Sequence, residues 1–209
     1  MKEKTKKDNK CNDIVTEIVC VLDKSGSMSS IKDDTIGSFN SFLKEQQELP
    51  GTAIMSVMLF DDEYEMLHNG DNIQSVEPLT EKTYRPGGTT ALYDAVGIAI
   101  TKAEKRYKCG KSKRVLVAII TDGQENASKE YNKCQMMELI KKCKDDYEWE
   151  FLYLSASPSA FKDGGNIGIP TTRILSFSHT GSGVKGMMTR YGCAASSYRT
   201  SGSISNFPK

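Results

Sequence analysis

Several things are scarce in this 209-residue chain, and each shortage narrows its chemistry. There are two histidines, His68 and His179, and neither accompanies a serine or cysteine in a nucleophile pattern. Both read as surface or loop histidines rather than general bases. The six cysteines include no C-x-x-C pair, which argues against a zinc knuckle. Cys20, inside an apolar run, reads as a small buried hydrophobe. The longest apolar run, residues 115–120, is far short of the roughly 20 residues that a membrane span needs. Net charge is also nearly absent: 28 basic against 27 acidic residues leave a formal +1, which disfavours nucleic-acid binding through overall basicity. The lysine-rich start, residues 1–10, is not followed by an apolar stretch, so no secretory signal is expected. Reduced thiols and a cytoplasmic location are the corresponding expectations.

What remains is a globular composition, 38% hydrophobic and 26% charged, in a chain long enough for one α/β domain. Strand-like and helix-like patterns alternate. Residues 14–22 form an apolar strand pattern, and residues 29–48 place Ile31, Ile36, Phe39, Phe42 and Leu43 at helical spacing. Residues 52–60 predict a strand, with a hairpin return over 64–68 and a long irregular connection over 69–88. Helices are predicted over 90–107 and 131–143, and strands over 113–120, 149–154 and 172–177. A short helix is predicted at 158–163. A final helix carries Val184, Met187, Met188 and Tyr191, with a loose tail from residue 200. Alternation of this kind predicts a doubly wound, mostly parallel sheet with helices on both faces and one antiparallel edge strand. Ligands of such sheets bind beyond the carboxyl ends of the strands.

The most informative stretch lies at such an end. Asp23-Lys24-Ser25-Gly26-Ser27 follows the first apolar run directly. Alternate side chains of an extended loop point the same way, so Asp23, Ser25 and Ser27 can converge on one point. Three hard oxygen donors suit a hard cation such as Mg²⁺. Gly87-Gly88-Thr89-Thr90 offers a hydroxyl, taken as Thr89, before a helix. Thr121-Asp122-Gly123 puts a second carboxylate after the most apolar strand.

Asp-x-Ser-Gly-Ser, Gly-Gly-Thr and Thr-Asp-Gly, in this order and spacing, resemble the von Willebrand factor A (vWA) domain with a complete metal-ion-dependent adhesion site. The resemblance spans roughly residues 14–180, and the short chain is similar to stand-alone prokaryotic and phage members. It implies a Rossmann-like fold and a bound Mg²⁺ or Mn²⁺. Its implied ligands are Asp23, Ser25 and Ser27 from the first loop, Thr89 from the second and Asp122 from the third, directly or through water. It also implies a coordination position left open for a Glu or Asp of a protein partner. The implied organisation is a flexible basic tail over 1–12, one vWA domain over 13–199 and a flexible tail over 200–209.

The expected function is therefore a metal-dependent protein-binding module, an intracellular adaptor or assembly factor rather than an enzyme. A structural subunit of a bacterial or phage assembly is a compatible alternative. A Mg²⁺-dependent phosphohydrolase using Asp23 as nucleophile is a weaker one, because Ser25 stands where the aspartyl phosphatase pattern has a second Asp. Two further motifs read as incidental. Gly181-Ser182-Gly183-Val184-Lys185-Gly186 matches G-x-G-x-x-G but leaves too little chain for the rest of a βαβ unit. Asn126-Ala127-Ser128 is a glycosylation sequon without a secretory context.

Overall fold

The architecture is built on strands whose residues are apolar on both faces. In the computed structural model, which describes residues 14–204 and Phe207, β1 (Thr16–Asp23) is buried at all eight positions. It pairs in parallel with β2 (Ala53–Phe60) on one side and β4 (Arg114–Thr121) on the other. β5 (Glu150–Ser155) and the three-residue β6 (Ile174–Ser176) extend the parallel part. β3 (Tyr64–Asn72) pairs antiparallel with β2, and the sheet order is β3-β2-β1-β4-β5-β6. This is the predicted mixed sheet with its antiparallel edge. β3 runs four residues past its predicted end because its ladder to β2 continues through Asn72 despite polar side chains. The pairing shifts register between Met55 and Ser56 and between Val57 and Met58.

Alternate β1 residues feed two cores. Ile18, Cys20 and Leu22 face α1 (Lys32–Glu48) and α5 (Gly181–Ser201). Val19 and Val21 face α2 (Leu92–Lys108) and α3 (Lys133–Tyr147), with α4 (Ala160–Asn166) beside them. Each fully buried side chain of this size contributes about 1.5–3 kcal/mol by leaving water. The rings of Phe42 and Tyr191 stack at 4.4 Å between centroids and join α1 to α5. Before α1, residues Gly26–Ile31 form a 3₁₀ turn, so the helix starts later than its periodicity suggests.

The glycine motif read as incidental has a packing role, and the tail differs from the sequence expectation. The glycines at the start of α5 serve close packing: a Cβ on Gly183 would stand 2.0 Å from the Ser178 carbonyl oxygen, and one on Gly181 would meet the Asp34 carboxylate at 2.4 Å. The stretch read as a loose tail from residue 200 begins inside α5, and Ile204 and Phe207 are buried against the α1/α5 core. The basic tail assigned to residues 1–12 lies outside the described residues. Among the described residues, no helix is long and apolar enough to cross a membrane.

At the amino ends of the strands lies a buried ion pair. Glu17 of β1, fully buried, accepts from Arg106 Nε at 3.0 Å and from Ser56 Oγ at 3.1 Å. Gly70 (φ +76°) makes room for this pair, since a Cβ there would lie 2.4 Å from Arg106 Cδ.

Candidate functional site

The carboxyl end of β1 delivers Asp23 into a closed polar pocket. The side chain is fully buried. Its Oδ1 accepts from the Ser25 amide at 2.7 Å, and its Oδ2 accepts from the Thr121 hydroxyl at 2.5 Å. The buried Tyr84 hydroxyl donates to the Asp23 carbonyl at 2.6 Å, which fixes the backbone at the strand end. Burial pushes the Asp23 carboxyl up to about 6, against the lowering effect of the Ser25 and Thr121 hydrogen bonds, and the nearby Asp122 charge raises it further. Lys24, next along the chain, pairs instead with Asp61. Among the described residues, no cation pairs with Asp23.

The other first-loop donors lie above it. Ser25 is buried, and its Oγ is 3.3 Å from Ser27 Oγ. Ser27 Oγ donates to Asp122 Oδ1 at 2.8 Å, across 95 positions of sequence. Four of the five sequence-predicted residues, Asp23, Ser25, Ser27 and Asp122, therefore come together. Their separations suit a hard divalent ion. Neighbouring vertices of a Mg²⁺ octahedron with metal–oxygen distances of about 2.1 Å are about 3 Å apart. The Ser25–Ser27 and Ser27–Asp122 spacings, 3.3 and 2.8 Å, bracket that value.

The fifth residue is corrected. Thr89 is exposed and shares no hydrogen bond with the others among the described residues. Thr90 takes the inward position. It is 4% exposed, and its Oγ1 lies beside Gly123, 3.5 Å from where a Cβ there would stand. The cause is the backbone of the second loop. Gly88 has φ +64°, Gly26 N–H donates to the Gly88 carbonyl at 3.1 Å, and Gly87 N–H donates to the Lys24 carbonyl at 2.8 Å. These bonds lock the glycine pair against the first loop and direct the next inward side chain to position 90. Asn126 completes the clamp: its Oδ1 accepts from Thr90 N–H at 2.9 Å, and its own N–H donates to the Thr90 carbonyl at 3.0 Å. The sequon asparagine is thus a strut between the second and third loops. A signal for Thr90 was present in the sequence, because the second threonine directly precedes the apolar start of α2.

His179 was also missed. It sits in the loop between β6 and α5, and its Nε2 lies 2.8 Å from Asp122 Oδ2. Asp122, with its side chain 2% exposed, is held between this ring and the Ser27 hydroxyl. The third loop beyond Asp122 is organised by acidic caps. Asp94 of α2 accepts from the amides of Lys129, Glu130 and Tyr131, and Glu125 accepts from those of Tyr93, Ala127 and Ser128.

The sequence matches no protein-family model and no curated protein. The fold does have solved counterparts. Proximal thread matrix protein 1 from the mussel byssus superposes with a TM-score of 0.60 at 14% identity, covering 86% of this chain and 45% of that one. The present chain therefore spans under half the length of the mussel protein. The manganese-loaded TRAP protein of Plasmodium vivax gives 0.53 at 16% identity, over 85% and 73% of the two chains. The SpRpn10 VWA domain gives 0.53 at 11% identity, over 83% and 93%. At these identities the likeness is one of architecture: the chain has the vWA fold, with the Asp23, Ser25, Ser27 and Asp122 cluster at the carboxyl edge of its sheet.

Proposed function

We propose that this protein is a metal-dependent protein-binding module in which Mg²⁺ or Mn²⁺, held at Asp23, Ser25, Ser27, Thr90 and Asp122, takes up a Glu or Asp of a protein partner. The observation that carries the reading is the Asp23 carboxylate, fully buried and without a cationic partner among the described residues. A buried charge is costly unless it is paired or ligates a metal. Two carboxylates nearly neutralise a divalent ion, and neutral hydroxyls leave it able to accept a further anionic ligand. When bound, the ion supplies Lewis acidity toward that incoming carboxylate. The chain's own residues orient it: Thr121 and the Ser25 amide hold Asp23, and His179 and Ser27 hold Asp122.

Manganese loading of the TRAP structure, which shares this fold, supports the ion. Burial of Asp23 favours a ligating role over nucleophilic attack, since a substrate has no access to an enclosed carboxylate. The setting that fits such a module is an adaptor or assembly factor within the cell. Affinity capture from the native cell in Mg²⁺ tests the function. Partners should elute with EDTA and be lost with Asp23→Ala. Capture undiminished by both treatments would overturn it.

A further inference from the structure

Away from the candidate metal site, the edge strand β3 carries Asn69-Gly70, the one Asn-Gly pair in the sequence. The pairing with β2 skips Gly70: Asn69 stands opposite Ser56, and Asp71 stands opposite Met55. The extra residue of such a bulge is left unpaired, and Gly70 takes φ +76°, a conformation that suits glycine. Asn69 is exposed to water. With no Cβ on residue 70, no side chain stands between the Asn69 amide and the next backbone nitrogen.

The independent observation is the guanidinium beside it. Arg106 Nη1 donates to Asn69 Oδ1 at 2.5 Å. The group is held in place at its other nitrogens: Nε donates to Glu17 at 3.0 Å, and Nη2 donates to Glu17 and, at 2.9 Å, to Ser56 Oγ. A charged donor fixed on an amide oxygen draws electrons from the carbonyl carbon and stabilises negative charge that develops on that oxygen. Asn69 Nδ2, by contrast, has no hydrogen-bond partner among the described residues, so nothing retains it.

We infer that Asn69 is a self-modification site, where the side-chain amide is hydrolysed with water as co-reactant and Arg106 as the donor that stabilises the oxyanion. The Gly70 backbone nitrogen attacks Asn69 Cγ, and the carbonyl π pair moves onto Oδ1, against Arg106 Nη1. The Cγ–Nδ2 bond then breaks. The Gly70 proton passes through water to the departing nitrogen, which leaves as ammonia, and a cyclic succinimide remains. Water opens this ring at either carbonyl and gives aspartate or isoaspartate at position 69. Nothing is oxidised or reduced. The aspartate sets a second carboxylate against the guanidinium that already serves Glu17. The isoaspartate adds a methylene to the backbone of β3 at a position paired with Ser56.

The test incubates the full chain at neutral pH and follows both the released ammonia and the mass of the proteolytic peptide that contains residue 69. Conversion of Asn69 to aspartate and isoaspartate is expected, with none over the same period in Asn69→Gln, whose longer side chain disfavours the ring. A synthetic peptide of residues 64–73 gives the rate without the fold. The double variant Glu17→Met/Arg106→Met removes the donor without stranding a buried charge. Shown to be folded by circular dichroism, it should convert about tenfold more slowly, the loss of one charge-assisted hydrogen bond. Arg106→Lys keeps a cation for Glu17 but loses the planar fork that spans to Asn69, and it should slow conversion likewise. An Asn69 that stays intact in the folded chain while the peptide converts would overturn the site. Wild-type conversion rates in the folded Arg106 variants would overturn the role of the guanidinium.

Discussion

His179 Nε2 lies 2.8 Å from Asp122 Oδ2, so a loop that precedes the last helix holds the third-loop carboxylate in place. The other oxygen of that carboxylate accepts the Ser27 hydroxyl. A ring that orients a ligand from behind typically changes metal affinity by 10–100-fold when removed. His179→Ala is therefore expected to weaken Mn²⁺ binding by about tenfold or more, measured by titration calorimetry. His179→Gln, which keeps an N–H donor, should recover much of the loss. Equal affinities for both variants and the wild type would remove His179 from the site.

The two adjacent threonines separate cleanly. Thr90→Ala should lower Mn²⁺ affinity and Mg²⁺-dependent partner capture, while Thr89→Ala should match the wild type, because only position 90 is turned inward. The reverse result would restore Thr89 as the second-loop ligand.

The Asp23 carboxyl sets a pH dependence. Its folded value of about 6 lies above its ordinary value of 3.8. A raised carboxyl stabilises the fold fully below its unfolded value, and that stability is lost as pH rises through about 6. The metal-free protein should thus lose about 3 kcal/mol from this group between pH 4 and 7. Asp23→Asn should raise the Tm of EDTA-treated protein at pH 7.5. Metal binding has the opposite trend, since the ion competes with the proton, and Mg²⁺ should raise Tm at pH 7.5 far more than at pH 5. A Mg²⁺ effect of equal size at both values would contradict this.

The buried Glu17–Arg106 pair supplies a stability test remote from the site. Arg106→Met leaves Glu17 uncompensated in the core and should cost about 3–5 kcal/mol in urea unfolding. Glu17→Met combined with Arg106→Met should recover a large part of that loss. Metal affinity of the folded variants should be unchanged, since the pair lies at the opposite end of β1 from Asp23.

Much of this fold was legible because its central strands are continuous apolar runs, which only a sheet covered on both faces can bury. Asp23, Ser25, Ser27 and Asp122 were legible because short loops after such strands have one place to go. Thr90 was missed by one position: two adjacent hydroxyls look alike in sequence, and the choice is made by the left-handed Gly88 and the Asn126 strut. His179 was missed because its partner is 57 positions away, a pairing that only the β6–α5 connection creates. The full length of β3 was hidden by its polar composition, since backbone pairing rather than side-chain burial defines an edge strand.

The two borders of the sheet have a consequence for how many copies can work side by side. One border, β3, is irregular in its pairing and carries charged and polar side chains, and the other, β6, has only three residues. Neither offers a long flat ladder of free amides and carbonyls to another chain, so strand-to-strand aggregation is disfavoured. Copies at high local concentration can thus keep the loops that carry Asp23 and Asp122 free without zipping together along their edges.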